Sequence, residues 1–164
     1  MSSSDRRAFL SLLAALPLAA CGFTPVYGPE GGGGALRGRI RAEDPNDRFG
    51  YAFVARIEDR LGRPEAPDWA LGYRIETEEI ATGISPENDT NRYNITGRLD
   101  WTLGRPGDET PVLSGRIDSF TAYSATGTTV ATRAARRDAE ERLMTILADR
   151  LVSELYARAG ALGP

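Results

Sequence analysis

The sequence predicts an α+β domain: about four mainly antiparallel strands with two amphipathic helices packed on one face, in the order β-α-β-β-β-α. Three observations carry this. Between residues 69 and 117 large apolar side chains recur at every second position, the strand period. Two flanking segments, 49–61 and 135–155, space them three and four apart, the helix period. No internal repeat divides the chain. A sheet with one apolar face must then hold both helices on that face and leave the other wet.

Each element follows from its residues. Leu36, Gly38, Ile40 and Ala42 alternate with Arg37, Arg39 and Arg41, which predicts a short edge or one-sided strand from Leu36 to Ala42. Asp44-Pro45-Asn46 stops it and offers a helix cap. Phe49, Phe53, Ile57 and Leu61 form one stripe of the first helix, which Gly62 and Pro64 end. In the second strand Trp69, Leu71, Tyr73, Ile75 and Thr77 hold the odd positions, and Gly72, Arg74, Glu76 and Glu78 the even ones. Thr82 to Asn91 contains Pro86, Asn88 and Asp89 and reads as a loop. The third strand is the clearest: Tyr93, Ile95, Leu99, Trp101 and Leu103 are odd, whereas Arg92, Asn94, Thr96, Arg98, Asp100 and Thr102 are even. Gly104 to Asp108 is a turn into a last strand, Val112 to Tyr123. There Leu113 and Ile117 keep the odd face but Phe120 and Ala122 fall on the even one. This predicts a bulge or strand exit near Asp118. Thr128 or Thr129 caps a long helix running to about Arg158, striped by Ala135, Ala139, Leu143, Ile146, Leu147, Leu151 and Leu155 and ended by Gly160.

Composition closes off most chemistry. The chain has 164 residues, 41% hydrophobic and 26% charged, which fits one globular domain plus a processed end. Its net charge of −3 argues against a nucleic-acid binder. There is no histidine, and all 20 basic residues are arginine. That removes the Ser-His-Asp and Cys-His nucleophile systems, histidine-ligated metals, the lysine Schiff base and the phosphate loop. A carboxylate hydrolase survives as a class, with Glu76 and Glu78 as its pair. Both sit on the polar face of an ordinary alternating strand, so a solvated face is the favoured reading. Asp44 to Asp47 lacks the Gly and distal Glu of a calcium loop. Gly31 to Gly34 has no strand before it or helix after it, so it is no dinucleotide fingerprint. No catalytic residue, metal or cofactor is expected.

The start of the chain reads as an address. Asp5-Arg6-Arg7 is net positive, and Ala8 to Leu18 is apolar but for Ser11 and Pro17. Eleven residues are too few to span a bilayer, which takes ~20, but they suit a secretory signal. Leu18-Ala19-Ala20-Cys21 matches a bacterial lipoprotein box, in which cleavage before the Cys exposes an amino group and the thiol takes a diacylglycerol. Cys21, the lone cysteine, is thus the lipidation site, and its acyl chains give stable membrane anchoring. Arg6-Arg7-Ala8-Phe9-Leu10 also resembles the twin-arginine export pattern; general secretion is preferred, because nothing downstream binds a cofactor. Gly22 after the Cys implies, by similarity to Gram-negative lipoproteins, release to the outer membrane facing the periplasm. The expected organisation is a signal peptide (1–20), a lipidated Gly/Pro-rich tether (21–35) and one α+β domain (36–164).

Arginine is the remaining candidate for recognition, since its fork grips phosphate and carboxylate in two places. Arg92, Arg98 and Arg116 fall on the polar side of neighbouring strands, and Arg133, Arg136 and Arg137 open the last helix. They are candidate contacts to an anionic glycolipid or an acidic partner. The alternative pairs them with Asp100, Asp118, Glu140 and Glu141.

Cys21-Gly22-Phe23-Thr24-Pro25-Val26-Tyr27, the β-α-β-β-β-α order, Arg137-Asp138-Ala139 and Leu147-Ala148-Asp149 together resemble the LptE family of LPS-assembly lipoproteins, in an alphaproteobacterial form. The Gly31–Gly34 insert has no place in that resemblance. The resemblance implies a non-enzymatic lipoprotein that plugs an LptD-type outer-membrane β-barrel, helps it assemble and takes part in delivering lipopolysaccharide to the outer leaflet. Lipopolysaccharide itself is then a second partner. An auxiliary lipid-binding lipoprotein of an ABC-type transporter is the alternative from another machine, and the carboxylate hydrolase a third.

Overall fold

A computed structural model of the chain describes residues 36–84 and 90–162. The expected signal peptide, Cys21 and the tether lie outside the described residues. The elements are β1 (Ile40–Ala42), α1 (Arg48–Leu61), β2 (Trp69–Ile84), β3 (Thr90–Gly104), β4 (Leu113–Ser124) and α2 (Thr129–Ala157), then a 3-10 turn at Ala159–Leu162. They form one four-stranded sheet in the order β1-β2-β3-β4. β1 runs parallel to β2 through the α1 crossover, and the other two pairings are antiparallel. This is the expected α+β order.

Both helices lie on one face. The odd residues of the strands meet them: Trp69, Leu71, Ile95, Leu99, Trp101, Leu103, Ile117 and Tyr123 are buried. From α1 come Phe53, Ile57 and Leu61, the expected stripe. α2 is buried more broadly than its stripe suggests. Ala139, Leu143, Leu147 and Leu151 are joined by Met144, Ala148 and Val152. A helix that packs on a sheet and on a second helix needs two apolar strips, and the wider band supplies them.

The caps follow local chemistry. Asp47, rather than Asp44 to Asn46, caps α1 by accepting from the Gly50 N–H at 2.7 Å. Gly62 ends α1 at φ 80°, a left-handed conformation that glycine adopts without Cβ strain. Thr128 caps α2 through the Ala131 N–H. Arg158 is the C-cap of α2, and Gly160 falls within the following 3-10 turn instead of ending the helix.

Three boundaries differ from expectation. Leu36 is buried, but the chain turns through Arg39 and pairing starts only at Ile40. β2 and β3 extend past the expected 82–91 loop, to Ile84 and from Thr90, with register shifts around Gly83. The bulge expected near Asp118 is absent: β3 and β4 pair without a shift from Arg92↔Ser124 to Leu103↔Leu113. Thr121 and Tyr123 continue the buried face, and Phe120 points to the open side with 66% of its surface exposed. A polar residue can take the core position because its hydroxyl Oγ1 donates to the Ala139 carbonyl at 3.0 Å.

Candidate functional site

The even residues of β2, β3 and β4 form a face that no described element covers. Strand register sets its charges in two rows. Arg74 lies opposite Asp100, which lies opposite Arg116; one step along, Glu76 lies opposite Arg98 and then Asp118. The rows read plus-minus-plus and minus-plus-minus. Arg116 Nε donates to Asp100 at 2.6 Å, and Arg98 Nε to Asp118 at 3.1 Å. The Asp100 hydrogen bond and charge raise the Arg116 pKa above its ordinary value. The next row is Glu78, Thr96 and Phe120. A depression of about 530 Å³ around Arg98 is lined by Glu76, Glu78, Thr96, Asp118 and Phe120. The face thus offers rows of donors and acceptors with little net charge and one aromatic ring.

The outer edge of β4 is closed. Arg142, Arg150 and Arg158 of α2 reach over it and donate to the carbonyls of Ala122, Asp118 and Ser114 at 3.2, 2.7 and 2.9 Å. Eight helical residues advance about 12 Å, and four strand residues about 13 Å. One arginine per eight helix residues therefore meets every second outward carbonyl of the antiparallel strand.

Under the helices, ion pairs tie the layers together. Arg56 grips Asp149 with Nε and Nη2 at 3.0 and 3.1 Å, and Arg60 adds a bond at 3.3 Å. Asp149 raises the Arg56 pKa through that fork. Glu140, 6% exposed, accepts from Arg48 of α1 and pairs with Arg136 at 3.3 Å. Arg136 also pairs with Glu79 of β2 at 2.7 Å, and the Tyr123 hydroxyl donates to Glu79. Burial, followed by that carboxylate, pushes the Tyr123 phenol up to about 12. Tyr73 is raised as well, by burial and then by Asp47, Glu43 and Asp44.

The structure divides the six candidate arginines between two surfaces. Arg92, Arg98 and Arg116 belong to the open face; Arg133, Arg136 and Arg137 belong to the start of α2. Arg98, Arg116 and Arg136 sit in the ion pairs just described. Arg92, Arg133 and Arg137 form no ion pair among the described residues. Glu76 and Glu78 are exposed and neighbour each other across the same open strand face. Among the described residues no three His, Cys, Asp or Glu side chains come together to hold a metal. The β4 edge arginines were not among the sequence candidates. Their spacing of eight carries no signal until the register of β4 is known.

The comparisons agree with this architecture. The model of the LptE family, described as lipopolysaccharide-assembly, matches residues 39–155. No curated protein matches the chain by sequence. Solved structures establish the fold. A Caulobacter crescentus protein described as a lipoprotein is 24% identical with a TM-score of 0.67, over 81% of this chain and 98% of its own. The rare lipoprotein B of Shewanella oneidensis is 14% identical with a TM-score of 0.58, over 77% and 98%. A lipoprotein B of Nitrosomonas europaea is 12% identical with a TM-score of 0.56, over 75% and 84%. The family match runs from the start of β1 to within two residues of the end of α2, so the chain belongs to the LptE family of lipopolysaccharide-assembly proteins.

Proposed function

We propose that this chain is a non-enzymatic, lipid-anchored outer-membrane protein that plugs an LptD-type β-barrel, assists its assembly and takes part in inserting lipopolysaccharide into the outer leaflet. Membership of the family supports the process. The open face is the observation that carries the plug role. The lumen of a large outer-membrane barrel is polar. A rigid sheet presenting ordered charge rows and hydroxyls, with helices only behind it, matches such a wall in chemistry. Cys21 supplies the acyl anchor on the periplasmic side. Arg92, Arg133 and Arg137 have their guanidinium groups available to lipid phosphates, whereas Arg98, Arg116 and Arg136 would first exchange an existing carboxylate partner.

The test is a native pull-down. A C-terminal tag, extraction in mild detergent and identification of co-eluting chains should return an LptD-type barrel in equal amount. An outer-membrane preparation of the tagged chain that holds no barrel would overturn the proposal. Cys21→Ala should shift the chain from the outer-membrane to the soluble periplasmic fraction in cells depleted of the barrel. Retention in the membrane there would remove the anchor from the reading.

A further inference from the structure

We propose that the free edge of β2, from Tyr73 to Ala81, is a strand-addition site that takes an extended, basic segment of a partner protein. β1 pairs only with Trp69 to Leu71. The last backbone bond there runs from the Glu43 N–H to the Leu71 carbonyl at 2.9 Å, and the Trp69 N–H donates to Arg39 at 3.0 Å. Odd residues of β2 therefore use their backbone groups on the β1 side. Strand alternation then aims the N–H and C=O of Tyr73, Ile75, Thr77, Glu79 and Ala81 outward, away from β3. No described strand meets them, over about 26 Å of edge.

The helices do not close this edge. α1 begins at Arg48, its Phe53 ring packs on Tyr73 at 4.9 Å, and its far end returns to Gly38 beside β1. Thr77 lies on the helix side of β2 and is nevertheless exposed. The contrast with β4 is direct: three arginines of α2 occupy alternate carbonyls of that edge, and among the described residues no side chain does the same for β2 beyond Leu71. An unpaired edge of this length is a template for another strand.

Charge selects the occupant. Glu43 stands where β1 stops, and Glu76 and Glu78 lie along the edge strand; among the described residues none of the three forms an ion pair. Arg74 is the one basic residue on β2. A segment with arginine or lysine at alternate positions would meet these carboxylates as cross-strand pairs. A second copy fits poorly, because antiparallel β2–β2 pairing brings the Glu76 and Glu78 groups of both copies together. The chain's own residues 22–35 fit poorly too, since they hold no basic residue, two prolines and five further glycines besides Gly22. The inference does not depend on the barrel being the partner.

Amide hydrogen exchange on the isotope-labelled full chain in detergent micelles tests it. The probe is a capped nonapeptide of alternating valine and arginine, at about 1 mM. Exchange at Tyr73, Ile75 and Thr77 should slow by about threefold or more, and a valine–glutamate peptide should leave it unchanged. Thr77→Pro removes an outward N–H that the fold does not use; it should keep its melting temperature and lose the effect at Tyr73 and Ile75. Should that variant unfold, Glu76→Lys with Glu78→Lys should reverse the preference from the basic to the acidic peptide. Equal effects of both peptides, no slowing with either, or amides already protected in the free chain would each overturn the proposal.

Discussion

Adding one methyl group to β3 tests how closely α2 sits on the sheet. Gly97 lies mid-strand on the helix side, and a Cβ there would lie 3.0 Å from Leu143 Cδ2, 3.2 Å from Leu143 Cγ and 3.2 Å from Leu147 Cδ1. Both leucines are fully buried, so neither can swing into water. Gly72 offers the matched control. It lies on the open face, where a Cβ would meet only the Thr102 hydroxyl at 2.8 Å, on an exposed side chain free to rotate. Each Gly→Ala change restricts the unfolded chain alike and stabilises by about 0.4–1 kcal/mol. At Gly72 that gain should remain nearly whole. At Gly97 overpacking of about 1–3 kcal/mol opposes it and wins, leaving a net loss of about 1–2 kcal/mol.

Urea unfolding followed by far-ultraviolet circular dichroism reads the difference directly. The m-value should be shared by both variants, so the midpoints alone carry it. In heat, Gly97→Ala should melt about 4–8 °C below wild type and Gly72→Ala slightly above it. Equal midpoints for the two variants would refute the reasoning, because the only term that separates them is the seat of α2. Gly115→Ala extends the series: its Cβ would meet the Trp101 indole at 2.8–2.9 Å, and a rigid ring yields less than a leucine.

Other perturbations read other layers. Changing Arg142, Arg150 and Arg158 together to Ala should cost about 1–2 kcal/mol and open the β4 edge, so size exclusion should show concentration-dependent oligomers; a strictly monomeric triple variant would count against edge closure. Asp149→Asn breaks the Arg56 fork at a half-buried site and should lose about 1–2 kcal/mol, whereas Asp59→Asn, at the exposed end of the same arginine, should change little in chemical denaturation. The Tyr123 phenol is raised in the folded chain to about 12, above its unfolded value near 10. Its contribution is whole below pH 10 and is lost as pH rises toward 12. Stability titrated across that window should fall more steeply for wild type than for Tyr123→Phe, and parallel curves would remove both the burial of the phenol and its Glu79 contact as causes of the shift.

What was legible in the sequence is what local periodicity encodes. The alternation of β3 and the Phe53-Ile57-Leu61 stripe each depend on one face being buried, and the structure keeps both. The misplaced features depend on distant partners. Phe120 reads as a core residue that slipped register, but the core position beside it belongs to Thr121, which is acceptable only because Ala139 of α2 supplies an acceptor. Glu140 is legible as an arginine partner, but its burial is not, since that comes with Arg48, 92 residues earlier, reaching it from α1. The candidate arginines were legible as a class but not as a site. Arg98, Arg116 and Arg136 take Asp118, Asp100 and Glu140, as the carboxylate alternative had it, whereas the division of the six between two surfaces follows from packing that local spacing does not encode.

The open face poses a question that stability does not answer. Its ion pairs are exposed, and such pairs each contribute roughly 0–1 kcal/mol, less in salt. The two rows of alternating charge therefore do little to hold the sheet together; the buried odd face does that. Their effect is to fix where donors and acceptors stand. In the sheet, Arg98 is flanked by Glu76 and Asp118, and Asp100 by Arg74 and Arg116. The paired side chains, Arg98 with Asp118 and Arg116 with Asp100, are thereby held near one orientation before anything docks, which lowers the ordering entropy that a partner's arrival would otherwise cost. A polar face of this kind disfavours a lipid tail and favours a surface that repeats its pattern in reverse. That is the chemistry a polar lumen wall can offer, and it is what the proposed plug role asks of this face.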